Sequence, residues 1–174
     1  NEFKFDWMDI SIDGIEESHN KQRQSSKAFA QAIEGLKRAR EVTKSADEGG
    51  RVSSLLTLTK INANDIEVVA DTLLGSENGE RPLVDQFQIT TVGPTNAINA
   101  ALETNADDFR SAWEQLKRAS RKYNTEGKPK IMFAIYRIED IEKLAEVVGE
   151  GHFLEAFSTQ ENDTLPIKAE RNFL

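Results

Sequence analysis

The chain has 174 residues and a net charge of −8, with 38% hydrophobic and 30% charged residues. This composition predicts one soluble domain that buries roughly 70% of the surface exposed by its unfolded chain. Because the chain has no cysteine, disulfides, thiol catalysis and cysteine-based zinc sites are excluded. No apolar run approaches the ~20 residues that cross a bilayer, and no signal segment opens the sequence. We therefore expect no membrane association and a cytoplasmic or particle-associated protein.

Positive charge is concentrated in two stretches of a chain that is acidic elsewhere. Residues 20–44 and residues 117–130 each carry a net charge of +5, which leaves −18 on the remaining residues. Segregated charges of this kind suit electrostatic docking between surfaces. We predict that ten of these basic side chains contact an anionic partner. They are Lys21, Arg23, Lys27, Lys37, Arg38, Lys44, Lys117, Arg118, Arg121 and Lys122.

In the first part of the chain, hydrophobic spacing predicts one strand and one long helix. Alternation over residues 3–12 indicates a strand with a bulge near Trp7 and Met8. Helical spacing over residues 16–45 indicates a single helix. Its first half has so few apolar residues that we expect an exposed arm or a loosely packed segment. Residues 52–61 fit either a strand or a short helix, and the sequence leaves both open.

The middle of the chain carries clearer signals for where helices begin and end. Asn64 and Gly75 bracket a helix, because asparagine caps helix starts and glycine commonly follows helix ends. Residues 83–92 alternate and predict a strand that is exposed on one side. After a short helix, Asn105 caps the most amphipathic helix of the chain, which ends near Tyr123. The basic residues in its last turns also suit the helix dipole.

The last part of the chain completes the predicted fold. A nearly continuous apolar run at 130–138 predicts a central strand, and residues 139–148 predict a helix that follows it. We therefore predict an α+β fold, a helix-rich single domain with a small sheet of three or four strands. The domain spans residues 1–157, and residues 158–174 form a polar C-terminal extension.

One segment resembles the opening of a calcium-binding loop. Asp9, Ser11, Asp13 and Gly14 have the spacing with which an EF-hand loop begins. The twelfth position of such a loop needs a bidentate glutamate, and Asn20 stands there instead. An alternating strand that ends in an Asp-Gly turn explains the same residues, so we predict no calcium site.

Motifs for catalysis or cofactor binding are missing. His19 and His152 lie 133 residues apart, whereas a metal site needs three or four converging ligands. The sequence contains no nucleophile elbow, no phosphate-binding loop and no dinucleotide fingerprint. We therefore predict no catalytic, cofactor-binding or metal-ligating residues.

These observations favour a non-enzymatic interaction or assembly protein, with a protein partner or a second copy of the chain. Because the sequence begins at Asn1, a processed, particle-associated or viral structural subunit fits this hypothesis. Two alternatives stay open. One is a nucleic-acid-associated protein that binds through the basic helices at 20–44 and 117–130. The other is an enzyme whose acid/base carboxylate site is not visible in the sequence.

Overall fold

The computed structural model describes residues 5–43, 50–76, 81–93, 97–124, 130–135, 142–143, 145–146 and 167–169. The predicted helix-rich α+β single domain with a small sheet is confirmed. Four strands of five to eight residues form the sheet, and a three-residue strand extends one edge. In chain order the elements are β1 Trp7–Ser11, α1 Glu16–Gln22, α2 Ala28–Thr43, β2 Arg51–Leu58, α3 Ile66–Leu74, β3 Gln86–Thr91, α4 Ala97–Leu102, α5 Ala106–Tyr123, β4 Ile131–Ile135 and β5 Ile167–Ala169.

All strands run parallel and lie side by side in chain order. A parallel connection needs a crossover, and helices α2, α3 and α5 supply the crossovers between the first four strands. Every strand therefore ends at the same side of the sheet, which we call the carboxyl edge. The opposite side, where every strand begins, is the amino edge.

One face of the sheet holds the hydrophobic core, and we call it the helix face. Helix α2 packs over β1 and β2, α3 over β3, and α5 over β4. Burial of apolar surface contributes about 25 cal/mol per Å², so this layer supplies most of the favourable free energy of folding. Its fully buried sheet residues include Ile12, Val52, Leu56, Leu58, Phe87, Ile89 and Ile131.

The other face is mostly polar, and no described helix packs against it. We call it the polar face. Side chains alternate along each strand. Every second residue therefore points into the core on the helix face, and the residues between them point to the polar face. In β1 to β4 it consists of Trp7, Asp9, Ser11, Arg51, Ser53, Leu55, Thr57, Gln86, Gln88, Thr90, Met132 and Ala134.

The predicted single helix over 16–45 is wrong, because α1 and α2 are two helices. Gln24, between them, adopts a φ of 51°, which no α-helix accommodates. The side chain of Asn20 stabilises the break. Its Oδ1 accepts a hydrogen bond from the Phe29 N–H at 2.9 Å, and its Nδ2 donates to the Ser26 carbonyl at 3.2 Å.

Two other predictions about this region are wrong. The first half of the predicted helix is not an exposed arm, since Ser18 and His19 of α1 are 8% and 2% exposed. Their polar groups bond to the main chain at the carboxyl edge, so burial does not require apolar side chains. No bulge interrupts β1, because Trp7 to Ser11 pair with β2 in continuous register. Trp7 lies on the polar face, whereas Met8 and Ile10 pack against the core.

Elsewhere the local signals are accurate to within a few residues. The ambiguous segment 52–61 forms β2, a strand between β1 and β3. The N-cap residue of helix α3 is Asp65, one residue later than the predicted cap, and the helix ends at Leu74, directly before Gly75. The capping box of α5 is present: Asn105 Oδ1 accepts from the Asp108 N–H at 2.9 Å, and Asp108 Oδ2 accepts from the Asn105 N–H at 3.1 Å.

Most of the C-terminal predictions lie outside the described residues. Of the helix predicted at 139–148, only residues 142–143 and 145–146 are described, and they are helical. Strand β5 comes from the segment 158–174 and pairs with β4. The domain boundary predicted at residue 157 stays a prediction.

Candidate binding site

A buried carboxylate lies just beyond the end of β1. Asp13 is 1% exposed, and its Oδ1 accepts a hydrogen bond from the Thr57 N–H at 3.0 Å. Its Oδ2 lies 2.5 Å from a guanidinium nitrogen of Arg23. A buried charge needs such partners to offset its desolvation. Asp13 therefore ties the end of β1 to β2 and to the residue that follows α1.

Asn62, in the turn after β2, is 0% exposed and completes the connection between the two strand ends. Its Nδ2 donates to the carbonyls of Asp13 and Thr57, both at 2.8 Å. Its Oδ1 accepts from the Thr59 N–H at 2.8 Å. A single carboxamide therefore pairs three buried backbone groups that would otherwise lack partners.

His19 fixes the turn from the opposite side. Its Nδ1 accepts a hydrogen bond from the Asp13 N–H at 2.8 Å, so this nitrogen carries no proton. The ring contacts Phe29 edge-on, with centroids 6.0 Å apart. Burial lowers the pKa of His19 below its ordinary value; the nearby Asp13 carboxylate opposes this effect, and Arg23 adds to it. The neutral imidazole is therefore the form that fits the folded protein.

The turn between β1 and α1 requires glycine. Gly14 has a φ of +136°, and a Cβ at this position would lie 2.7 Å from Asp65 Oδ2 and 2.8 Å from the Ser18 Cβ. Asp65 Oδ2 also accepts a hydrogen bond from the Ile15 N–H at 3.3 Å. The absence of a side chain at Gly14 therefore lets α1 and the loop before α3 pack closely at the carboxyl edge.

The polar face ends close to this hydrogen-bond network at the carboxyl edge. Thr57 lies opposite Thr90 in the register of β2 and β3, near the carboxyl ends of both strands. Thr90 Oγ1 is buried and has no hydrogen-bond partner among the described residues. Asp13 follows the end of β1, and its ion-pair partner Arg23 lies at the carboxyl edge. The side chain of Arg23 is 45% exposed.

This arrangement offers groups that can recognise a polar ligand. Hydroxyl and carboxamide groups both donate and accept hydrogen bonds, and Arg23 adds a partly accessible positive charge. Ligands of parallel α/β sheets bind outside the carboxyl ends of the strands. Within the described part of the chain, no three His, Asp or Glu side chains are grouped so that they could hold a metal ion.

The predicted anionic-partner residues near α2 do not form one patch with those on α5. Both helices lie on the helix face, but α3 packs between them over β3. In the first stretch, Arg38 pairs with Glu34 at 2.9 Å and Arg23 pairs with Asp13. The residues Lys21, Lys27 and Lys37 are exposed, and Lys44 lies outside the described residues.

In the second stretch, most of the predicted residues are paired with acidic side chains of the same chain. Lys117 pairs with Glu114 on α5. The next two contacts cross from α5 to α3, where Arg118 reaches Glu67 at 2.8 Å and Lys122 reaches Asp71 at 2.9 Å. Arg121 is exposed. These pairs reduce the net positive field of α5, and contact with an anionic partner stays a prediction for all ten residues.

The network at the carboxyl edge was not predicted from the sequence. Asp13 and Gly14 read as a turn or as a failed calcium loop, and His19 read as part of an exposed arm. The usable signal was that an alternating strand ends at Asp13-Gly14 and that a polar Thr-Lys-Ile-Asn segment follows the next strand. Only the parallel pairing of β1 with β2 brings those two ends together.

The comparisons with known proteins add no assignment. No protein-family model matches the chain, and no curated protein is significantly similar in sequence. Among the described residues, no helix is both long enough and apolar enough to cross a membrane.

Proposed function

We propose that this domain binds a small polar molecule on the polar face, at the carboxyl edge of β1 to β3. One observation carries the proposal: an all-parallel sheet has a polar second face, and near its carboxyl edge the buried hydroxyl of Thr90 has no hydrogen-bond partner among the described residues. A buried hydroxyl without a partner has a free-energy cost. A ligand that bonds to Thr90 would remove that cost and would stabilise the folded chain.

The composition of the polar face supports the same proposal. Consecutive parallel strands with their crossover helices on one face are the repeating unit of β/α barrels. In closed barrels the other face is filled mainly with Val, Ile and Leu. Here β3 contributes Gln86, Gln88 and Thr90 instead. Polar side chains of this kind are better suited to binding a polar ligand than to forming a water-free core. The enzyme alternative is also compatible with this face, since the active sites of β/α barrels lie at the carboxyl edge.

A thermal-shift screen against a library of small polar metabolites tests the proposal. We expect at least one compound to raise the melting temperature by several degrees, as about 100-fold excess over Kd stabilises by ~2.7 kcal/mol. The Thr90→Val variant keeps the shape of the side chain but loses the hydroxyl. It should weaken binding about tenfold by calorimetry without lowering the stability of the free protein.

The matched control is Thr72→Val on α3, an exposed threonine whose Oγ1 donates to the Val68 carbonyl. It should leave the affinity unchanged. A screen without any stabilising compound would contradict the proposal, and so would a compound that binds wild type and Thr90→Val equally well.

A second candidate function is interaction or assembly. It is favoured because the described helices leave the polar face without a covering layer, whereas all-parallel sheets are almost always covered on both faces. A partner protein or a second copy of the chain would then provide that layer. Size-exclusion chromatography with light scattering tests this candidate, and a strict monomer that captures no partner in pull-downs would eliminate it.

A further inference from the structure

The amino half of the polar face carries a cluster with its own recognition chemistry. Trp7 is 45% exposed, and its Nε1 donates to Asp9 Oδ2 at 2.8 Å. Asp9 Oδ1 accepts a hydrogen bond from Ser53 Oγ. Gln86 lies opposite Ser53 in the register of β2 and β3. An indole, a carboxylate, a hydroxyl and a carboxamide therefore lie together across three neighbouring strands.

We propose that this cluster binds a neutral polyhydroxylated ligand, such as a sugar. The inference goes beyond the proposed function, since it places a second binding site on the same face, nearer the amino ends of the strands. A carboxylate can accept about four hydrogen bonds, and each oxygen of Asp9 has one internal donor. Each therefore keeps acceptor capacity for a ligand hydroxyl, and O–H···O⁻ bonds are among the stronger ones in proteins.

The indole supplies the second requirement of sugar recognition. A pyranose ring has C–H groups on its faces and hydroxyls around its rim. Trp7 offers a large apolar surface, and its own N–H is already held by Asp9, which fixes its orientation. The Nε2 of Gln86 donates to Met132 Sδ at 3.2 Å. Its carbonyl oxygen is a further acceptor for hydroxyl groups.

The charges of the face argue against an anionic ligand here. In β1 to β4 the charged side chains of the polar face are Asp9 and Arg51, which have opposite signs. Asp9 would repel a phosphate placed against Trp7, whereas hydroxyl groups donate to it. The cluster is therefore matched to a neutral ligand, in contrast to the basic stretches on the helices.

An NMR titration tests this inference with an internal control. The chain has two tryptophans, so an ¹⁵N–¹H spectrum contains two indole signals, which Trp7→Phe assigns. Maltose is the probe, and inorganic phosphate is the anionic comparison. We expect the Trp7 signal to shift saturably, with a Kd on the order of 1 mM. The signal of Trp113, which is 3% exposed on the helix face, should stay in place.

Two variants make the result specific. Asp9→Asn keeps the shape of the side chain but loses its charge, and Gln86→Met removes the carboxamide. Each should weaken maltose binding about tenfold. Asp6→Asn changes an exposed carboxylate just before β1 and should bind as wild type does. Thermal melting within a few degrees of wild type shows that each variant is folded.

The outcomes separate this inference from the proposed function. The polyol assignment is overturned if the Trp7 signal does not shift with maltose. It is also overturned if Asp9→Asn and Gln86→Met leave the shift unchanged, or if inorganic phosphate produces the same shift. If the metabolite screen still yields a ligand that depends on Thr90, the proposed function stands while the site at Trp7 is overturned. If both experiments are negative, both are overturned.

Discussion

Each edge of the sheet has an ion pair with one buried member, but the two pairs differ in which member is buried. At the amino edge, Arg40 of α2 is 5% exposed. It donates to the Pro82 carbonyl and to Asp85 Oδ2, both at 2.8 Å. Asp85 also accepts from the Val52 N–H and from Arg81, both at 3.0 Å. The pair ties α2 to the starts of β2 and β3 and leaves its arginine closed to solvent.

At the carboxyl edge the exposure is reversed. The carboxylate of Asp13 is buried, and its partner Arg23 is 45% exposed. Arg23 is therefore accessible to solvent, whereas Arg40 is not. The comparison indicates that the amino-edge pair acts as a buried cross-link, while the carboxyl-edge pair leaves a solvent-accessible arginine.

The largest effect is expected at the carboxyl edge, for Asn62→Ala. The change leaves the carbonyls of Asp13 and Thr57 and the N–H of Thr59 buried without their partner. Each such group costs about 1–3 kcal/mol, so we expect the free energy of unfolding to fall by about 3 kcal/mol or more. Urea denaturation followed by circular dichroism measures it. The exposed neighbour Asn64→Ala is the control, and a loss at Asn62 below about 1 kcal/mol would contradict this account.

The next effect is expected at the amino edge, for Arg40→Met. Removing one member of a buried pair costs about 3–5 kcal/mol, and the partial exposure of Asp85 reduces this to about 2 kcal/mol. Arg38→Met, two residues earlier, removes an exposed pair with Glu34 and should cost less than about 0.5 kcal/mol. Equal losses in the two variants, measured by the same denaturation experiment, would show that the amino-edge pair is not a stabilising cross-link.

The dependence of stability on pH should distinguish the edges further. Since burial lowers the pKa of His19, the unfolded chain binds a proton at higher pH than the folded chain does. The contribution of neutral His19 to the free energy of unfolding is therefore fully present above pH 6.5, the ordinary pKa of histidine. It declines as the pH falls from there towards the pKa of His19 in the folded protein. Protonation would also place a second donor against the Asp13 N–H. The charged groups facing the ring are Asp13 and Arg23.

His19→Asn tests this directly, because the asparagine Oδ1 can replace Nδ1 as the acceptor and does not titrate. We expect its stability to stay flat between about pH 7 and pH 5, while that of wild type declines. At the amino edge, burial alone would raise the pKa of Asp85, but hydrogen bonds from Arg40 and the Val52 N–H outweigh it and lower the pKa. The contribution of Asp85 to stability is lost only as the pH falls below 3.8. If His19→Asn still lost stability between about pH 7 and pH 5, a group other than His19 would be responsible for the decline of wild type.

A structural feature was predictable from the sequence when the residues that form it lie close together in the chain. Asn105 and Asp108 are three residues apart and form a capping box by themselves, so α5 was predictable almost to the residue. The parallel sheet was not, because β1 pairs with a strand that begins at Arg51. No local pattern indicates the direction of such a pairing.

The candidate site was harder still, because its groups are distant in the chain. The partners of Asp13 come from α1 and from β2, and each of them alone resembles an ordinary surface residue in the sequence. Alternation over residues 83–92 predicted a strand exposed on one side, but not which other strands would extend that face. The basic stretches were the strongest signal of the sequence, yet most of their described side chains on α5 meet acidic neighbours.

The smallest effect is expected on the helix layer, for the contact between α5 and α3. Arg118 and Glu67 are 51% and 38% exposed, so water screens their attraction. Arg118→Met should lower the free energy of unfolding by less than about 0.5 kcal/mol, and 0.5 M salt should abolish even that difference.

A weak ion pair can exchange its acidic partner for another anion at little cost in free energy. If nucleic acid binds here, Arg121→Glu weakens the binding and the affinity of wild type falls steeply with salt, and a chain that binds no nucleic acid at low salt excludes that alternative.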